Sequence, residues 1–155
     1  MGIQAGPNLE GVDTVAQAKL GDEYTAGGNS YTYCQAGEAL AAYQLVLLSA
    51  TFSAIECATG DVVGPAMAGV TQFAVASGEY FWLPRKFNKK LDGSAFYVNG
   101  AASCATNVKL YTTATPGVVD DTATTLVNGL HLTETLTGAA AATCVAVSPL
   151  GVQFA

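Results

Sequence analysis

No stretch of this chain offers three turns of amphipathic helix, and that constrains the fold more than any other feature of the sequence. From Tyr31 onward, short runs of strand-forming residues follow one another, separated by Gly, Pro and Asn turns. SYTYCQA, FSAIECA, AFYVNG, ATNVKLYTT, ATTLV, GLHLTETLT and ATCVAVS all read as strands. GEALAAYQLVLLSA is mixed: EALAAYQL favours helix, so a short turn or helical piece is expected at 37–42 and a strand at 43–50. The expected fold is all-β, a small β-barrel or β-sandwich rather than an alternating βαβ arrangement. Residues 1–30 differ. MGIQAGPNLEG and GDEYTAGGNS are rich in Gly, Asn and Pro without a sustained apolar period, and AQAKL between them has room for one helical turn at most. They predict an extended N-terminal arm, residues 1–30, ahead of a single β-rich domain, residues 31–155.

The chain also echoes itself. Gly69 opens GVTQFAVASGEYFWLP with Gly78 at its centre, and sixty residues later Gly129 opens GLHLTETLTGAAAATCVAV with Gly138 at its centre. Upstream, QLVLLSATFSAIE aligns with NVKLYTTATPGVV. A tandem pseudo-repeat over about 43–84 and 106–150 follows, each copy containing a hairpin and neither able to bury its apolar face alone. Ser77-Gly78 and Thr137-Gly138 stand where tight hairpin turns would need positive φ. In GLHLTETLT, Leu130, Leu132 and Leu136 point one way, while His131, Thr133, Thr135 and Thr137 point the other. EYFWLP carries bulk on both faces, with Phe81 and Leu83 opposite Tyr80 and Trp82, so this strand is expected to be central or covered.

Little catalytic chemistry is visible. His131 is the only histidine, and strand alternation puts it on the face opposite Glu134. Asp120-Asp121 reads as loop chemistry and lacks the several oxygen ligands of a calcium loop. Nucleophile-elbow, zinc-protease and phosphate-loop patterns are missing, so no catalytic, cofactor-binding or metal residues are assigned and no cofactor is expected. The net charge of −6 argues against general nucleic-acid binding, and the longest strongly apolar run, LVLLSA, is too short to cross a bilayer. The start of the chain lacks a signal-peptide pattern, which predicts a reducing compartment in which the four widely spaced cysteines stay free. Four of the six basic residues fall in RKFNKK, either as a solvated loop guarding a sheet edge or as a contact for an acidic protein surface. Tyr80 and Trp82 could stack on a sugar or a base, or could pack in the core or at a subunit interface.

The Gly-rich start, the two similar β units and the phrases GVTQFAVASGEYFWL, NVKLYTTATPGVVDD and GLHLTET together resemble the capsid decoration, or cement, proteins of tailed bacteriophages. Most of the likeness lies in Gly69, Gly78, Gly129 and Gly138, and it spans roughly residues 24–150. The resemblance implies a non-enzymatic protein, made in the host cytoplasm and carried on the outer surface of the virion. There it would bridge neighbouring major-capsid-protein subunits, often as a dimer or trimer, with no nucleic acid or membrane as partner. A carbohydrate-binding or adhesion β-module is the alternative, as is a head-completion or tail component. Two segments are the expected contacts: Ile3, Pro7 and Leu9 in the arm, and the aromatic-basic stretch Tyr80, Trp82, Arg85 and Lys86.

Overall fold

The computed structural model describes residues 6–62, 64–122 and 124–155. Among them the chain forms no helix, hence none long and apolar enough to cross a membrane. The fold is all-β, and its fourteen strands belong to one mixed sheet. From the N-terminus these are β1 (Val12–Asp13), β2 (Glu23–Ala26), β3 (Asn29–Ala36), β4 (Leu45–Leu48), β5 (Ser53–Glu56), β6 (Ala66–Val70) and β7 (Tyr80–Lys86). Then follow β8 (Phe96–Gly100), β9 (Leu110–Thr112), β10 (Val119–Asp120), β11 (Leu126–Asn128), β12 (His131–Leu132), β13 (Ala140–Val145) and β14 (Gln153–Phe154).

Their spatial order is β1-β7-β3-β5-β4-β6-β14-β11-β9-β10-β8-β13-β12, with β2 beside β3. That order is a palindrome about β14. In the first unit β7 is antiparallel to β3, β3 is parallel to β5, and β4 lies between β5 and β6. In the second unit β13 is antiparallel to β8, β8 is parallel to β10, and β9 lies between β10 and β11. The last strand, β14, pairs with both β6 and β11 and so welds the two units into one sheet. The sequence echo begins at 43 and 106, whereas the repeated pairing pattern begins earlier, at β3 and β8.

The outer edges of the two units are completed differently. β12 covers β13 from within the second unit, pairing His131 with Val145. Its counterpart on β7 is β1, which comes from the N-terminal segment. The hairpin expected in GVTQFAVASGEYFWLP is therefore not formed. After β6 the chain leaves the sheet, bridges Val75 to Leu40, and returns at Tyr80 to pair with β3 and β1. The same Val75 bridge holds Leu40 extended, so 37–42 is not helical despite its propensity. AQAKL is likewise non-helical, with Ala18 and Leu20 packed onto the core. Of the segment expected as an extended N-terminal arm, residues 12–13, 23–26 and 29–30 are paired within the sheet.

The sheet is open, ending at β1 and β12, and it folds back on itself rather than closing as a barrel. Three strands separate β6 from β7 along the sheet, yet a Cβ on Gly69 would lie 2.5 Å from Leu83 Cγ and 2.7 Å from the Pro84 carbonyl oxygen. Glycine permits that close crossing of two sheet faces. One apolar cluster spans both units, including Tyr33, Leu45, Phe87, Phe96, Leu110 and Phe154. A second lies only under the first unit and includes Cys34, Val46, Phe81 and Leu83. β3 and β7 are thus buried on both faces, while Leu130, Leu132 and Leu136 are buried and His131, Thr133 and Thr135 face solvent.

Polar residues are buried where they close gaps in the ladder. Asn29 is 1% exposed; its Nδ2 donates to the Lys89 carbonyl at 2.6 Å, and its Oδ1 accepts from the Asn88 N–H at 3.1 Å. Replacing it with alanine leaves both backbone groups unpaired, and Asn29→Ala should cost about 2 kcal/mol in urea unfolding. A loss below about 0.5 kcal/mol would mean that water satisfies those groups.

Candidate functional site

The structure brings part of the arm and part of the aromatic stretch to one place. Pairing of Val12 with Phe81 and Asp13 with Tyr80 lays the N-terminal segment along β7. As a result Pro7 and Trp82 share the wall of a cleft of about 530 Å³, together with Asn8, Asp13 and Gln17. Pro7 and Leu9 also border a neighbouring depression with Tyr31 and Leu91. Ile3 lies outside the described residues.

Trp82 is not an exposed platform. It is 6% exposed, with its ring centroid 4.9 Å from that of Tyr33 and 5.9 Å from that of Tyr24. Tyr80 is half-buried and stacks on Tyr33 at 6.2 Å with an interplanar angle of 12°. Tyr33 organises the group. Its hydroxyl donates to Asp13 Oδ2 at 3.0 Å and accepts from the Gln17 N–H at 2.9 Å. Burial holds its phenol above the usual tyrosine range; the Gln17 N–H opposes that shift, and the Asp13 carboxylate adds to it. The cleft therefore combines an indole edge, a proline ring, one carboxylate and two side-chain amides. Those are recognition groups, suited to an amphipathic ligand or a peptide segment.

Of the basic residues behind this cluster, Arg85 has a structural role. Arg85 donates from Nε to the Ala68 carbonyl at 3.2 Å and from a terminal nitrogen to the Leu150 carbonyl at 3.4 Å. It ties β7 to β6 and to the loop before β14, and burial lowers its pKa while Glu23 opposes that shift. Lys86 is half-buried opposite Ser30, and Lys90 lies over the Phe96 ring at 6.0 Å from its centroid. Lys89 of this run is exposed.

Sequence reasoning missed Asp13, Gln17, Tyr24 and Tyr33. The alternation of Tyr31 and Tyr33 in SYTY was a usable signal, since residues two apart share a strand face. Asp13 and Gln17 gave none, because only the pairing of β1 with β7 brings them to the tryptophan.

All four cysteines are free and buried. Burial pushes the Cys57 thiol up to about 12, and it raises Cys34 and Cys144 as well. The sign follows from which state ionises first. Below an ordinary thiol pKa near 9 both folded and unfolded thiols are neutral and the effect is absent. Above it, unfolded thiols lose protons that folded ones keep, so stability falls as pH rises. Urea midpoints should hold steady from pH 7 to about 8.5 and decline from about pH 9 upward, and Ellman-type reagents should label these thiols only after unfolding. Rapid labelling of the native protein would contradict this burial.

Compared with known proteins, the chain matches no protein-family model, and no curated protein is significantly similar to it in sequence.

Proposed function

We propose that this chain is a non-enzymatic structural protein of a bacteriophage virion that binds the outside of the capsid and stabilises it by bridging major-capsid-protein subunits. The supporting observation is the palindromic sheet: one chain presents the same five-strand unit twice, on either side of β14. A duplicated unit suits a partner that is itself repeated. Two modest contacts made by one chain gain avidity from effective concentration without any single tight site. Self-association into a dimer or trimer would extend the same logic around a symmetry axis. The test is to add purified protein to expanded heads that lack it and measure co-sedimentation, copy number and heat resistance. High, fixed stoichiometry with raised heat resistance is expected. Failure to bind removes the proposal, and a few copies per particle would point instead to a head-completion or tail component.

A second reading is carried by the cleft. Asp13, Asn8 and Gln17 beside Pro7 and the edge of the buried Trp82 ring supply the carboxylate and amide groups that read saccharide hydroxyls. A glycan array screened with the wild type and Gln17→Ala addresses it directly. Hits lost in Gln17→Ala would favour an adhesion module, and an array without hits would eliminate it.

A further inference from the structure

Away from that cleft, the second unit gathers three metal-ligand groups. Cys104, in the connection between β8 and β9, meets Asp120 at the end of β10 and Asp121 just beyond it. One donor atom from each, the Cys104 sulfur and a carboxylate oxygen of each aspartate, lies within 4.8 Å of the other two. The two segments are held in register by backbone and side-chain bonds. The Ala101 N–H donates to the Val119 carbonyl at 2.9 Å, and the Ala105 N–H donates to Asp121 Oδ2 at 3.0 Å. Asp120 Oδ1 accepts from the Asp121 N–H at 2.8 Å, so each carboxylate uses one oxygen in the fold and has another to offer.

The burial of the sulfur adds to this grouping. Cys104 is 0% exposed. Cys34 and Cys57 each donate to a backbone carbonyl, at 3.6 Å in both cases. Cys104, like Cys144, has no such acceptor among the described residues; its sulfur is hydrogen-bonded by the Asp121 backbone and has both carboxylates within 4.8 Å. A buried thiol facing two anions is an arrangement that a cation would complete. We propose that Cys104, Asp120 and Asp121 form a binding site for a divalent cation of the zinc class, with Zn²⁺ as the expected ion.

The donor set selects the metal. One thiolate with two carboxylate oxygens suits a borderline-soft ion, whereas Mg²⁺ and Ca²⁺ take oxygen ligands alone. Tetrahedral zinc, with bonds of about 2.0–2.3 Å, spaces its ligand atoms roughly 3.5 Å apart. The donor atoms, which lie within 4.8 Å of one another, would need to draw together around the ion. On binding, the thiol proton is released to solvent and the sulfur binds as thiolate. Asp120 also lines a cleft of about 440 Å³ with Ala101 and Ala102, which leaves room for water as the fourth ligand. The ion would clasp the β8–β9 connection to the end of β10, and this inference does not depend on the capsid reading.

The experiment uses the full chain stripped with a chelator, titrated with Co²⁺ and then Zn²⁺. One equivalent of Co²⁺ should give a thiolate-to-cobalt charge-transfer band, Zn²⁺ should displace it, and Zn²⁺ should raise the thermal midpoint. Cys104→Ser should abolish the band, and Asp120→Asn should weaken binding tenfold or more. Absence of the band, or its survival in Cys104→Ser, would overturn the assignment. Should circular dichroism show Cys104→Ser to be unfolded, Asp120→Asn decides, because unchanged affinity there is equally fatal. Competition by Mg²⁺ as effective as that by Zn²⁺ would also exclude the proposed donor set.

Discussion

Trp82→Ala is expected to destabilise the protein by about 3–5 kcal/mol, the range for emptying a large aromatic site in a core. The indole is packed between Tyr33 and Tyr24 on a strand that is buried on both faces. Removing it takes away those ring contacts and leaves a void next to the Tyr33 hydroxyl, whose bonds to Asp13 and Gln17 fix the N-terminal segment. For a chain of this size each kcal/mol moves the melting temperature by about 2–4 °C, so a fall of about 10 °C is expected. Tyr24→Ala, at a side chain 37% exposed, should cost about 1 kcal/mol. A Trp82→Ala loss no larger than that of Tyr24→Ala would show that the indole is not part of the core. The consequence for function is practical. Loss of partner binding in Trp82→Ala reports a damaged fold, so contact tests belong on Pro7, Gln17 and Lys89, whose replacement leaves the aromatic stack in place.

The four glycines that carry the internal echo should respond very differently to alanine. Gly129 has φ +82°, and a Cβ there would lie 2.5 Å from the Gly151 carbonyl oxygen. Left-handed strain of about 1–2 kcal/mol adds to a clash with backbone that cannot swing away. Gly129→Ala should therefore be the most damaging of the four, at about 3 kcal/mol or more. Gly69→Ala follows at about 2–3 kcal/mol, because its Cβ meets Leu83 and the Pro84 carbonyl at the sheet crossing. Gly78 has φ +86° in open space, so only the conformational cost of about 1 kcal/mol remains. Gly138 is not in the left-handed region and has open space, so its substitution should fall within about 0.5 kcal/mol. Guanidinium unfolding of the four variants gives the ranking, and equal losses at Gly69 and Gly138 would refute the sheet crossing.

The second unit would be stabilised further by the proposed zinc clasp, while the first relies on the N-terminal segment. Strand identity was legible because it is local. In GLHLTETLT the leucines are buried and the intervening polar residues exposed, as alternation requires. The recurrence of Gly69 and Gly78 as Gly129 and Gly138, sixty residues on, made part of the two units visible as an echo. The candidate site was legible only in fragments: Pro7, Leu9, Tyr80 and Trp82 stood out, but nothing in their spacing said that β1 would lay the first pair beside the second.

The sequence by itself determined that this chain is all-β, and its internal echo pointed to two similar units. Those properties depend on side-chain period, turn residues and similarity between segments, all readable a few residues at a time. Only the tertiary structure decided which strands pair. GVTQFAVASGEYFWLP had the appearance of a hairpin, yet β6 and β7 separate and meet again face to face at Gly69. The edge of β7 that a hairpin partner would have taken is filled by Val12 and Asp13. Pairing of this kind is a competition among all edges that a strand can reach. It is settled by the burial of Phe81, Trp82 and Leu83 on both faces at once, which no local window of the sequence contains.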